Sequence, residues 1–85
     1  MIGDVNKDGM ITAVDASRIL YLYAEINAGN VQPTAEDMYI CDVNRDSKIN
    51  STDASICLVF YAELNAGYKE NFVTYLTKVL KITIV

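Results

Sequence analysis

"DVNKDGMITAVDAS", residues 4–17, sets Asp4, Asn6 and Asp8 on alternating positions, follows them with Gly9, and adds Asp15 seven residues after Asp8. Short side-chain oxygens gathered this way repel one another unless a positive partner sits among them. A hard cation takes oxygen ligands from a loop of this kind. The spacing fits a twelve-residue calcium loop, with ligands at positions 1, 3, 5, 7, 9 and 12 and a sharp turn at position 6. Counted from Asp4, these are Asp4, Asn6, Asp8, the Met10 carbonyl, Thr12 and Asp15, with Gly9 at the turn.

The stretch occurs twice. Residues 3–29 and 41–67 align at an offset of 38 with fifteen identities in twenty-seven positions. The second loop gives Asp42, Asn44, Asp46, the Lys48 carbonyl, Asn50 and Asp53, with Ser47 at position 6. Ile11 and Ile49 hold position 8, where an apolar side chain can anchor each loop to a core. Three carboxylates plus neutral oxygens per loop suit Ca²⁺ better than Mg²⁺, which demands octahedral geometry and keeps its waters. Two features depart from the standard loop. Position 12 is Asp, one methylene shorter than Glu, so the following helix must approach the metal more closely. Ser47 carries a strain of about 1 kcal/mol if its φ is positive.

Each loop leads into a helix. The first is expected from Thr12 or Ala13 to about Asn27, the second from about Ser51 to Asn65, with Gly29 and Gly67 as stop signals. Ala16, Ile19, Leu20, Tyr23 and Ile26 or Asn27, and then Ala54, Cys57, Leu58, Tyr61 and Leu64, fall at helical spacing. In the connector 30–40, Thr34 can cap a short helix from Ala35 to about Ile40, with Asp37 three residues later. In the tail 68–85, Phe72, Tyr75, Leu76, Val79 and Leu80 predict a further helix over 70–80. The closing "ITIV", residues 82–85, is β-branched and could be extended instead. The expected fold is therefore all-α: two calcium-binding loop–helix units paired about a pseudo-twofold axis, a connector helix and an extra C-terminal helix.

Composition narrows the function. Eighty-five residues make one small domain that buries only about 60–65% of its unfolded surface, so a metal is a natural support. The net charge is −4 and the seven basic residues are scattered, which argues against nucleic acid. Six of eleven acidic residues lie in the two loops, and two divalent cations would bring the formal charge to zero. Histidine is absent, which removes the commonest general base and most zinc designs. No apolar run reaches a membrane span and no leader pattern is visible; Met1 reads as a start residue placed on an excised module. Cys41 and Cys57 form no CxxC pair. They read as small buried hydrophobes, or as a disulfide in an oxidising compartment.

The tandem loops "DVNKDGMITAVDAS" and "DVNRDSKINSTDAS", each followed by one helix, resemble a dockerin domain of the cellulosomal type I kind. The missing entering helix before the first loop and the Asp at position 12 are part of that resemblance, which covers residues 3–67. It implies a non-catalytic, extracellular module that is monomeric when free, holds two Ca²⁺, and plugs its parent protein onto a cohesin module of a scaffold. By the same resemblance the cohesin contacts fall on Ala13, Val14, Ser17, Arg18, Leu20 and Tyr21, and on Ser51, Thr52, Ser55, Leu58 and Val59. Leu20 and Leu58 could equally be core. Val14, Tyr21 and Val59 are surplus to a thin core, and exposed apolar patches mark partner sites.

Three other classes compete. A calcium sensor of the calmodulin sort needs helix–loop–helix hands with Glu at position 12, and the first unit here has neither. An enzyme needs a nucleophile–base pair, and none is visible. A purely structural calcium-stabilised module shares the loops and differs only in its partners.

Overall fold

A computed structural model describes residues 2–83. Among them the chain is all-helical: α1 (Ala13–Asn27), α2 (Ala35–Cys41), α3 (Ser51–Asn65) and α4 (Phe72–Thr74), which continues into a wider π turn over Tyr75–Val79. The two loop–helix units repeat one another, and α1 packs against α3. Residues 81–83 form no regular element, and the rest of the closing segment, residues 84 and 85, lies outside the described residues.

Local chemistry sets each boundary. Thr12 and Asn50 are the N-caps of α1 and α3, accepting from the N–H groups of Val14 (3.2 Å) and Thr52 (3.0 Å). Asp15 and Asp53 complete capping boxes by accepting from the cap backbones of Thr12 and Asn50, both at 2.9 Å. Both helices close with the same Schellman turn. Gly29 and Gly67 take φ +77 and +110. The next N–H groups, of Asn30 and Tyr68, donate to Glu25 O and Glu63 O at 3.0 and 2.9 Å. For α2, the Thr34–Asp37 box forms in both directions at 3.0 Å.

The core lies between α1 and α3 and extends under the tail. Ala16, Ile19, Ala54 and Cys57 meet at its centre, with the position-8 residues Ile11 and Ile49 also buried. Leu20, Leu58 and Leu64, expected on the apolar stripes, are instead exposed; Tyr23 and Ile26 are partly buried against the core. On α3 the burial shifts to Phe60, which the stripe Ala54-Cys57-Leu58-Tyr61-Leu64 passed over. The reason is the tail. Phe60 packs against Phe72 and Tyr75, with ring centroids at 4.8 and 5.2 Å, and against Tyr68 at 6.1 Å. A layer on its second side draws α3 into a core that one face of α1 alone would not define.

The tail helix is capped by Asn71, whose Oδ1 accepts from Thr74 N–H at 2.8 Å. Phe72, Tyr75 and Leu76 are buried, whereas Val79 and Leu80 are exposed. The i→i+5 bond from Leu80 N–H to Tyr75 O (3.3 Å) widens the turn and rotates those two off the core line. Phe72 also lies against the start of the first loop. Gly3 sits at φ +81, and a Cβ there would come within 2.5 Å of the Phe72 ring. Cys41 and Cys57 are separate buried thiols, and desolvation pushes them up to about 11 and about 12. Both behave as small core hydrophobes, and they are not joined in a disulfide.

Phe72→Ala should cost about 3–5 kcal/mol in urea unfolding at saturating calcium, as for other buried aromatic truncations. A loss below about 1 kcal/mol would show that the tail does not close the core.

Candidate metal centres and the helix faces beside them

Each loop folds its backbone around its own carboxylates. In the first, Asp4 accepts from the N–H groups of Asp8 (3.3 Å) and Gly9 (2.9 Å), Asp8 from Met10 N–H (2.9 Å), and Asp15 from Asn6 N–H (3.3 Å). In the second, Asp42 accepts from Asp46 N–H (3.2 Å) and Ser47 N–H (2.9 Å), Asp46 from Lys48 N–H (3.0 Å), and Asp53 from Asn44 N–H (3.4 Å). The same donors and acceptors recur at the 38-residue offset. One oxygen from each of Asp4, Asp8 and Asp15 lies within 4.8 Å of the others, and the same holds for Asp42, Asp46 and Asp53. Asp15 and Asp53 have no solvent exposure.

Such clusters are electrostatically costly. Burial, with the charges of Asp42 and Asp46 adding to it, pushes Asp53 up to about 6. Burial and the adjoining Asp46 carboxyl also raise Asp42 above its ordinary range. Asp46 resists its own desolvation and falls below that range, because the N–H of Lys48 donates to it. In the first loop the Met10 N–H likewise lowers Asp8. A pair in which one carboxyl rises while its neighbour falls is the signature of like charges sharing a site.

The donor set fits a hard divalent cation. Three carboxylates converge in each loop, and each carboxylate oxygen engaged by one N–H keeps a free lone pair. In the second loop Asn44 Oδ1 is buried and has no hydrogen-bond partner, an acceptor that a cation at the centre of the loop would satisfy. The other residues of the expected ligand set divide by role. Asn6 Oδ1 makes one long contact, to Asp8 N–H at 3.4 Å. Thr12 and Asn50 turn their side chains to the helix caps, so a metal would meet position 9 less directly, as it often does through water. Met10 and Lys48 offer main-chain carbonyls at position 7 of the two loops.

Position 6 is left-handed in both loops, with φ +84 at Gly9 and +71 at Ser47. Position 4 is left-handed as well, which neither residue type there favours: Lys7 and Arg45 both take φ +59. Beyond the loops, the solvent side of the helix pair is apolar at several points. Val14, Leu20, Leu58 and Val59 are 41–51% exposed, and Tyr21 is 69% exposed. Ala13, Ser17, Arg18, Ser51, Thr52 and Ser55 are exposed alongside them. The two copies differ where the tail comes near: Thr52, Ser55, Ile56 and Val59 share a small cavity of about 150 Å³ with Tyr75 and Leu80. Ile56 is partly buried there, whereas its counterpart Arg18 is exposed.

Two acidic loops in register, each capping the helix that follows it, define a tandem calcium-loop module. The family description "Dockerin type I domain" matches residues 2–57, and the chain belongs to that family. Dockerin domains bind calcium and dock onto cohesin modules without catalysing a reaction, so this is a cohesin-docking module. No curated protein matches the chain by sequence. No helix among the described residues is long and apolar enough to cross a membrane.

Ser47→Gly removes a Cβ from a left-handed residue and keeps the N–H that Asp42 uses. It should stabilise the calcium-saturated protein by about 0.5–1 kcal/mol and tighten the second site correspondingly. Weaker calcium binding in a two-site titration would show that the backbone strain argument is wrong.

Proposed function

We propose that this module fastens a larger secreted protein to a cohesin of a cellulosomal scaffold for polysaccharide degradation, and that it is monomeric when free. One observation carries this reading: two carboxylate triads stand at the starts of the same two helices that present Val14, Leu20, Tyr21, Leu58 and Val59 to solvent. In it, Asp4, Asn6, Asp8, Met10, Thr12 and Asp15 hold one calcium ion, and Asp42, Asn44, Asp46, Lys48, Asn50 and Asp53 hold the other. A bound cation supplies the positive charge that lets three carboxylates share each loop. The chain does the rest. Asp15 and Asp53 each tie a loop to the first turn of a helix, so an ordered loop fixes where that helix starts and which residues it offers.

The cohesin-contacting residues in this reading are Ala13, Val14, Ser17, Arg18, Leu20 and Tyr21 on the first copy, and Ser51, Thr52, Ser55, Leu58 and Val59 on the second. The module proper is residues 1–67, made of repeats 3–29 and 41–67 joined by the connector 30–40, followed by the C-terminal tail 68–85, whose described part, residues 68–83, packs on the module or extends it. Docking has one dominant orientation. Ala16-Ser17 matches Ala54-Ser55 and Leu20 matches Leu58, but Ala13-Val14 stands against Ser51-Thr52, Arg18 against Ile56, and Tyr21 against Val59. Tyr75 and Leu80 beside Thr52 and Val59 add to the difference. Exchanging an aromatic for Val, or a charge for Ile, shifts binding by about 1–3 kcal/mol, and any shift above about 1.3 kcal/mol leaves a rotated mode below about 10%.

Titration calorimetry against a panel of cohesins, with calcium and with chelator, tests the reading. At least one cohesin should bind in calcium and none in chelator; no binding to any cohesin leaves a purely structural or sensing module. Orientation is read from two double mutants, Val14→Asp with Tyr21→Asp and Thr52→Asp with Val59→Asp. Losses differing by ten-fold or more are expected. Near-full affinity in both, with loss only when all four are changed, contradicts a single mode.

A further inference from the structure

The connector helix α2 is held at its C-terminal end by a residue of the second loop. Arg45 Nη1 donates to Asp42 O at 2.8 Å, Tyr39 O at 2.9 Å and Met38 O at 3.4 Å. The guanidinium carbon lies 5.1 Å from the Tyr39 ring centroid, and Nη2 is buried without a partner. The last carbonyls of a helix have no partner within it and carry its negative pole. No basic residue occupies the last turn of α2, so the loop supplies the cation from outside. Asp42 is at once the C-cap of α2 and position 1 of the second loop. Its carbonyl is held twice, by the Arg45 side chain and by the Arg45 backbone N–H at 3.3 Å.

The first loop lacks this grip. Lys7 has the same φ of +59, and its N–H donates to Asp4 O at 3.3 Å. Its ammonium, however, leaves the loop and pairs with Glu36 at 2.7 Å, both side chains being more than 60% exposed. An exposed pair of that kind contributes little. A planar guanidinium laid against the Tyr39 ring, with Nη1 directed at three carbonyls, is not reproduced by a compact, strongly hydrated lysine ammonium.

We propose that Arg45 is a positioning residue for the second calcium loop: by gripping the end of α2 it fixes the backbone of Asp42, so that ordering of α2 and cation binding at Asp42, Asp46 and Asp53 are one event. This rests on the reading of the loops as calcium sites. A positive charge near a cation site opposes cation binding through space. The grip on Asp42 must outweigh that repulsion.

Calcium titrations of the full chain, followed by NMR, separate the sites. The amides of Gly9 and Ser47 each donate to a position-1 carboxylate, Asp4 and Asp42, and so give each loop its own signal. For Arg45→Ala the Ser47 midpoint should rise about ten-fold, and at least three-fold more than the Gly9 midpoint, which moves only through the shared core. Arg45→Lys, which keeps the charge and loses the planar guanidinium against the Tyr39 ring, should raise the Ser47 midpoint about three-fold; it carries the test if the Ala variant does not fold. Lys7→Ala should move neither midpoint more than two-fold. Equal shifts of both amides would mark Arg45 as a general stabiliser and overturn the proposal, as would an unchanged or tighter second site. If neither amide of the unaltered chain responds to calcium, the calcium reading itself fails, and this proposal falls with it.

Discussion

Three carboxylates whose oxygens lie within 4.8 Å of one another, twice over, are the constraint from which the rest of this structure follows. Each triad is drawn together by backbone N–H groups of its own loop, which fixes the loop but does not cancel the charge. The position-12 aspartates carry the constraint into the fold. Asp15 and Asp53 are fully buried, accept from the cap residues of α1 and α3, and stand one residue before the central core positions Ala16 and Ala54. A loop that loses its order therefore loses a helix start and a core contact together. That is how a domain of 85 residues, with little apolar surface to spare, can let metal binding act as folding free energy.

The two units are equal in their loops and unequal in what surrounds them. α2 leads directly into the second loop, and Arg45 closes that junction. No helix precedes the first loop among the described residues. There the tail comes in from the far end of the chain and sets Phe72 against Gly3 and the Phe60 ring. The same tail runs beside the second helix's outer face and leaves the first helix's face open. Near-identical sequence repeats thus end in different environments, and an asymmetric docking surface needs no more than that.

Much of this was legible in the sequence because it is written locally. The loop spacing, the Thr34–Asp37 box and the Asn-Ala-Gly stops are short-range chemistry, and they placed α1, α2 and α3 to within a residue. What was not legible depends on contacts distant in the chain. The run "ICLVFYA", residues 56–62, is apolar all round, so periodicity could not single out Phe60; the aromatic layer of Tyr68, Phe72 and Tyr75 makes it core. Leu20 and Leu58 fit a helical stripe as well as Ile19 and Cys57 do, and only packing separates them. In the loops, the triads followed from position counting. The left-handed backbone at Lys7 and Arg45 did not, since neither residue type favours it. The reach of Arg45 to α2 needs the fold in hand. Its one sequence signal is a long cation four residues beyond the end of a short helix with no basic residue in its last turn.

Neutralisation of the triads by cations is what lets this fold exist, and far-ultraviolet circular dichroism of the full chain in calcium, after excess chelator, and after calcium is restored reads that dependence. Most of the helical signal should be lost in chelator and recovered with calcium. A helical spectrum unchanged by chelator would contradict it, because the clustered carboxylates would then be tolerated without a metal.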